Sequence, residues 1–362
     1  MAARSGLPKN IPEFSTWQDM LKEIPDLNGV VICTPNFLHA DQAIACLERG
    51  LPIALEKPLA TNQKDCERIL AAEASNAGRV LLGFVLRSTP FYSKIHELIA
   101  SGVIGEVVSI QADELPGPGV TLMMNMHSWR RHSSSSGGAM LEKACHDMDI
   151  LNWMMGCRPA SLTSYCSSLI FAPKATLPDV CDDCSQASTC QYYRRSTFSS
   201  HEDEEEESLP DFIREDNRCI YNIDKDVTDV QNVCVEYESG AVANFMLNFN
   251  CSGPKSGRNF HAIGTQGRIW GNLHQQRVFV HENLSGETFK HDLTTDGSGH
   301  GGGNRSHALL LRRMMEDPEF RPEQNAKAGY LSAVMCFSAD LSRSQRRRVD
   351  FEYGRDGLVT LK

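Results

Sequence analysis

The sequence predicts two joined units: an α/β unit on a doubly wound parallel sheet, then an α+β unit on an open, mainly antiparallel sheet. Three observations lead there. Short apolar runs alternate with helical patterns over the first part of the chain, later apolar segments come in pairs around Gly-bearing turns, and the pattern changes near residue 103.

Val30-Val31-Ile32-Cys33 is a continuous apolar run that stops at Thr34-Pro35-Asn36, the pattern of a strand buried on both faces. A helix is expected from His39 to Arg49, with Ala43, Ile44 and Leu47 at helical spacing and Gly50 as its stop. Pro52 to Leu55 is a second buried strand ending at Glu56-Lys57-Pro58. The unit then repeats as a helix from about Gln63 to Ala77 and a strand from Arg79 to Val85. Strands alternating with helices of this length imply parallel βαβ units, whose ligands bind at the carboxyl ends of the strands. After a helix from Phe91 to Ala100 and a turn at Gly102 to Gly105 come a strand from Val107 to Ala112, a Gly/Pro/Ser-rich stretch and a helix from Ala139 to Met155. Two hairpins follow: Asn232–Tyr237 with Ala241–Phe249 around Glu238-Ser239-Gly240, and Phe260–Ile263 with Arg268–Trp270 around Thr265-Gln266-Gly267. Residues 1–103 are therefore read as one domain and 104–362 as another, the second interrupted by an insertion at about 174–226.

At 362 residues and 41% apolar content the chain can bury a large core. The net charge of -10 is spread along it apart from the acidic run His201 to Glu207, so no basic face offers itself to nucleic acid. No stretch approaches the ~18 apolar residues of a membrane span, and no secretory signal opens the chain, so a cytoplasmic protein is expected. Of the thirteen cysteines, Cys33, Cys46, Cys145 and Cys336 lie in apolar periodic segments, where cysteine acts as a small core residue. Cys181, Cys184, Cys190 and Cys219 differ. Four thiols within one insertion suit a closed, structural zinc site, against the alternatives of reduced free thiols or disulfides.

Glu142, His146 and Asp149 fall at i, i+4 and i+7 of the 139–155 helix, so they share a face. They are either a solvated, salt-bridged face or a functional cluster. Lys57, at the carboxyl end of a parallel strand, is either a ligand-contacting residue or an ordinary loop lysine.

Thr34-Pro35-Asn36 with His39, Glu56-Lys57-Pro58, Gly83-Phe84 before Arg87, Ser101-Gly102 to Ile104-Gly105-Glu106, and Gly137-Gly138 through Glu142, His146 and Asp149 together resemble the Gfo/Idh/MocA oxidoreductases in order and spacing. Gly264-Thr265 to Gly267 and His300-Gly301-Gly302-Gly303 extend the resemblance over nearly the whole chain. It implies a Rossmann domain, an open-sheet domain that binds substrate and assembles into homo-oligomers, and oxidation of a secondary alcohol of a sugar, inositol or related polyol with NAD or NADP. It places Thr34, Pro35, Asn36, His39, Glu56, Lys57 and Arg87 at the cofactor. Lys57 would contact the reacting hydroxyl and His146 would take its proton, with Glu142, which stands where many members carry Asp, as the third catalytic residue. Trp129, Arg130 and Asp149 would serve the substrate.

The resemblance also implies a strand, a Gly-rich turn and a helix ahead of Val30, none of which the sequence displays. Met1 to Gly6 reads as the tail of the second helix of such a unit, followed by a short strand near Glu13-Phe14-Ser15 and a helix from Trp17 to Ile24. The first domain is thus expected to be a partial Rossmann sheet lacking at least one βαβ unit of ~30 residues or more. Two other functions stay open: a non-catalytic member or fragment that binds a sugar or a protein partner, and a glycosidase that uses bound NAD for transient oxidation.

Overall fold

The computed structural model describes residues 11–76, 79–193, 217–251 and 257–362. Met1 to Gly6 and the acidic run 201–207 lie outside the described residues. The first element is helix α1 (Trp17–Glu23), started by Thr16, whose side chain accepts from the Asp19 amide at 3.1 Å. The segment near Glu13-Phe14-Ser15, expected to be a strand, has no regular structure. That expectation is corrected: among the described residues no strand lies beside the segment to complete a ladder.

Strands β1 (Val30–Ile32), β2 (Ile53–Leu55) and β3 (Val80–Leu82) form a parallel sheet in that order, Val30 opposite Ile53 and Ile53 opposite Val80. Helices α2 (His39–Glu48) and α3 (Gln63–Ser75) make the crossovers. Asn62 caps α3 by accepting from the Asp65 amide at 2.9 Å, a contact whose loss typically costs ~1 kcal/mol. The strands are short, but Ile53, Leu55, Val80, Leu81 and Leu82 are fully buried. β1 is an edge strand among the described residues and leaves Val31 59% exposed.

The chain leaves this sheet through α4 (Pro90–Ala100), which Thr89 caps at the Tyr92 amide, and enters a second sheet at β4 (Val107–Leu115). Within the Gly/Pro/Ser-rich stretch, which sequence patterning had not divided, lie α5 (Pro118–Met126) and the single turn α6 (Ser133–Ser136). They lead into α7 (Ala139–Met155). The strands β5 (Pro159–Ser167), β6 (Val230–Tyr237), β7 (Val242–Asn248), β8 (Gly257–Gly264), β9 (Gly267–Asn272), β10 (Arg277–Glu282) and β11 (Thr288–Asp292) follow. Helices α8 (Gly299–Glu316) and α9 (Ala326–Gln345) and strands β12 (Val349–Tyr353) and β13 (Val359–Leu361) close the chain. Among the described residues the large sheet has ten strands in the order β11-β10-β9-β8-β4-β7-β6-β5-β12-β13, antiparallel except where β4 meets β7. β6 shows why one face is covered and the other open: Gln231, Val233, Val235 and Tyr237 are buried while Asn232, Cys234 and Glu236 are exposed.

Helix α7 lies on the buried face and is enclosed on nearly every side. Glu142, His146 and Asp149 are therefore not a solvated face. Each of the two carboxylates has a charged partner instead, as does Asp147, and that pairing is what permits their burial. Helix α9 packs between α7, α3 and β5. Ser332 of α9 donates to the Cys145 carbonyl at 2.6 Å, and the Tyr330 hydroxyl accepts from the Val359 amide and stands 3.2 Å from Glu67 of α3. A Cβ on Gly329 would lie 2.5 Å from Leu82 Cδ2, so α9 also touches the small sheet. No helix among the described residues is long and apolar enough to cross a membrane.

Candidate active site

The carboxyl ends of β1, β2 and β3 open into a cavity of about 420 Å³. Val31, Cys33, Ala54 and Leu81 give it an apolar floor, and Lys57, Arg130, Glu142, His146 and His300 bring polar groups to its walls.

Lys57 follows β2 directly, and its Nζ donates to the main-chain oxygen of Glu142 at 2.6 Å, with Glu142 Oε1 3.6 Å away. The Glu142 carboxylate accepts from Asn36 Nδ2 at 2.6 Å and from Arg130 Nε at 2.9 Å. Burial pushes this carboxyl up, but the charges of Lys57 and Arg130 and the donated hydrogen bonds outweigh it and hold Glu142 below its ordinary value. Burial likewise opposes charge on Lys57, and Glu142 more than restores it. Glu142 reaches both the loop after β1 and the loop before α7. It ties together three segments far apart in sequence.

His146, one turn further along α7, is 5% exposed and packs against Phe84, ring centroids 5.8 Å apart. Its Nδ1 is buried with no hydrogen-bond partner. Burial lowers its pKa well below the ordinary histidine value, and Lys57, Arg258, His300 and Lys143 push it the same way. The ring is therefore neutral near pH 7.

His39 is buried beneath the floor, its ring nitrogens 2.8 and 3.0 Å from the carbonyl oxygens of Pro58 and Thr34, so it joins the turns that end β1 and β2. Thr34 donates to Gln42 at 2.7 Å. Glu56 stands at the cavity wall and accepts from the Lys57 amide. Of the residues expected at cofactor and substrate, Lys57, Glu56 and Arg130 reach the cavity, and Asn36 braces it from behind. Thr34, Pro35 and His39 shape the turns. Trp129 lies under the Arg130 guanidinium, 4.3 Å from ring centroid to Cζ. Arg87 and Asp149 do not line the cavity. They are buried against each other in a two-pronged pair at 2.7 and 2.6 Å, with Trp153 beneath the guanidinium.

Sequence reasoning missed Arg258. Its guanidinium donates to Asp147 at 2.7 and 3.1 Å and lies 2.9 Å from Glu114, which also pairs with Lys143 at 2.9 Å. Only the position of Asp147 next to His146 hinted at it, because Arg258 is 111 residues away. His300, Asn304 and His307 also reach the cavity, and of these only the His300 to Gly303 segment stood out in the sequence.

The zinc expectation is corrected. Among the described residues no group of three or more His, Cys, Asp or Glu is disposed to hold a metal ion. Cys181, Cys184, Cys190 and Cys219 are spread around the walls of a separate cavity of about 400 Å³ instead of converging. Cys181 and Cys219 are fixed by backbone pairing, the Cys181 amide donating to Asn217 and the Cys219 amide to Asp179, and the Cys181 thiol faces the Arg218 carbonyl.

Residues 6–84 match the family described as "Oxidoreductase family, NAD-binding Rossmann fold", and residues 92–270 match the "GFO/IDH/MocA C-terminal domain". Among curated relatives, YteT of Bacillus subtilis (strain 168), provisionally named an oxidoreductase, is 28% identical over 90% of this chain and 82% of its own length. Inositol 2-dehydrogenase of Salmonella typhimurium (strain LT2) is 26% identical over 40% of this chain and 39% of its own. Levoglucosan dehydrogenase, solved in complex with NADH and levoglucosan, shares the fold with a TM-score of 0.72 over 96% of this chain and 86% of its own, at 21% identity.

Proposed function

The chain belongs to the Gfo/Idh/MocA oxidoreductase family, and from that premise we propose that it is an NAD(P)-dependent dehydrogenase acting on a secondary alcohol of a sugar, inositol or related polyol. One observation carries the reading: Lys57, Glu142 and His146 meet in one cavity at the carboxyl ends of parallel strands, where open α/β sheets bind their ligands. The apolar floor of Val31, Cys33, Ala54 and Leu81 suits a nicotinamide ring. Thr34 to Asn36 and Glu56 to Pro58 would border the cofactor, while no described strand of the parallel sheet ends in a Gly-rich phosphate-binding turn. When bound, the nicotinamide supplies the carbon that accepts or returns hydride.

The chain supplies the proton chemistry. Lys57 spends one donor on the Glu142 carbonyl and has others for the reacting oxygen, whose alkoxide character an ammonium favours. His146, held neutral, takes the hydroxyl proton. Arg130 faces the cavity while anchored on Glu142, and so can bind a neighbouring hydroxyl without giving up its ion pair. A cytoplasmic setting is part of the same proposal.

Calorimetric titration of the full chain with NAD(H) and NADP(H), followed by a panel of inositols and sugars, tests the reading. We expect one dinucleotide to bind with an affinity of ~1 μM–1 mM and to turn over with a polyol. Binding of a sugar without either dinucleotide would favour the non-catalytic alternative.

Homo-oligomerisation through the large sheet belongs to this proposal too. The open face of that sheet exposes Tyr165 (76%), Ile263 (43%) and Val242 (39%), an apolar surface that a second copy would cover. Sedimentation analysis is expected to find a dimer or larger that Tyr165→Glu with Ile263→Asp converts to monomer. A monomeric parent chain would contradict it.

A further inference from the structure

His300 stands in the cavity wall facing His146, with ring centroids 6.1 Å apart. Its backbone is left-handed, at φ 55° and ψ 42°, a conformation a residue with a Cβ rarely adopts unless its surroundings enforce it. They do so here. Gly301 and Gly302 continue the turn at φ 68° and 91°, and a Cβ on Gly303 would lie 2.3 Å from the Val85 carbonyl oxygen, so the segment is pressed onto the loop after β3. The imidazole is also fixed: Nδ1 lies 2.9 Å from Asn304 Oδ1, and with Nδ1–H donating, Nε2 keeps its lone pair.

The two imidazoles differ in what surrounds them. His146 is buried, its Nδ1 has no carboxylate or carbonyl to hold a proton, and its charged surroundings include Lys57, Lys143 and Arg258. A proton gained there is poorly held. His300 is exposed to solvent, with Asn304 beside it on the same helix and His307, Arg130 and Glu142 elsewhere in the cavity wall.

We propose that His300 passes the reaction proton between buried His146 and bulk water, through one water molecule or substrate hydroxyl lying between the rings. The proposal rests on the reading of His146 as the base. In alcohol oxidation the substrate O–H bond breaks and its proton bonds to His146 as the carbon gives up hydride to the nicotinamide. The His146 proton then moves to the bridging oxygen as that oxygen releases its own to His300 Nε2, and His300 releases a proton to water. Both imidazoles end neutral, with one proton released per alcohol oxidised. Reduction runs the same path inward.

The test uses the full chain labelled with ¹⁵N-histidine and the variant His300→Asn, because Asn accepts the left-handed region and keeps the turn. Exchange of the His146 ring proton with water is followed by NMR, the resonance being assigned through its loss in His146→Gln. We expect exchange to slow ~10²-fold in His300→Asn, the lower end of what a positioned proton-transfer group contributes, and to recover with free imidazole. His307→Asn is expected to leave it unchanged. Unaltered exchange in a His300→Asn protein that melts like the parent overturns the proposal. This measurement needs no cofactor, so it decides the relay even if no polyol is turned over, an outcome that would count against the dehydrogenase reading alone. Where turnover is seen, His300→Asn should lower kcat with little change in KM, enlarge the solvent deuterium isotope effect and respond to added imidazole.

Discussion

Replacing His146 by alanine is expected to lower turnover ~10²–10⁴-fold while substrate binding changes far less, because the role proposed for the imidazole is proton transfer and not holding the substrate. The pH profile gives the sharper test. A base works when unprotonated, so kcat/KM should fall on the acid side as pH drops through the pKa of His146. Burial and the neighbouring Lys57 lower that pKa, so the fall should come below the ordinary value of ~6.5. His146→Ala should abolish this limb. A variant with near-parental turnover, or a parent whose acid limb lies above ~6.5, would remove His146 from the role of base.

The second large effect concerns stability. Arg258→Met removes the cation shared by Asp147 and Glu114 and leaves two buried carboxylates with Lys143 as their remaining charged partner. Breaking a buried ion pair by deleting one partner typically costs ~3–5 kcal/mol. The sign of its pH dependence follows from Asp147, whose carboxyl burial and Glu114 push up to about 6 even against the pull of Arg258. A folded pKa above the unfolded one means the folded state binds more protons. Stability is therefore lost as pH rises from the unfolded value of ~3.9 through the folded one. Without Arg258 the folded pKa climbs further and the penalty extends to higher pH. Urea unfolding of parent and variant at pH 5 and pH 8 should show the larger gap at pH 8. A gap under ~1 kcal/mol at both would mean that water reaches these carboxylates.

The parts of this molecule that were legible in its sequence are those written in local pattern. The strands at Pro52 and Val80 announce themselves because a parallel strand covered on both faces is an unbroken apolar run, and the same pattern marks the strand at Val30, although its Val31 is exposed. The 139–155 helix is bounded in the structure by Gly138 and Gly156, both at positive φ. Lys57 and His146 could be singled out in the sequence because strand ends and helix faces are predictable places, while the roles expected of them came from the family resemblance. The rest depends on partners distant in the chain. Asn36 is 106 residues from Glu142, and Arg258 of β8 is bound to Asp147 of α7, 111 residues away. Arg87 and Asp149, two charged residues in motif positions, looked like cofactor and substrate contacts, and nothing in spacing reveals that they face each other. The four thiols of the insertion show the converse: close spacing in sequence did not produce convergence in space.

Helix α9 bears on how the molecule moves. Because the same helix packs against α7, α3, β5 and the end of β3, prying the two sheets apart would expose apolar surface on both sides of it, and the halves cannot swing like a clamshell without that cost. Entry and exit of a ligand then fall to the 116–138 segment at the opening, since the glycine-rich start of α8 is pressed onto the loop after β3. Access becomes a matter of a local flap on a stiff frame, and the contact of Lys57 with α7 stays set while it opens.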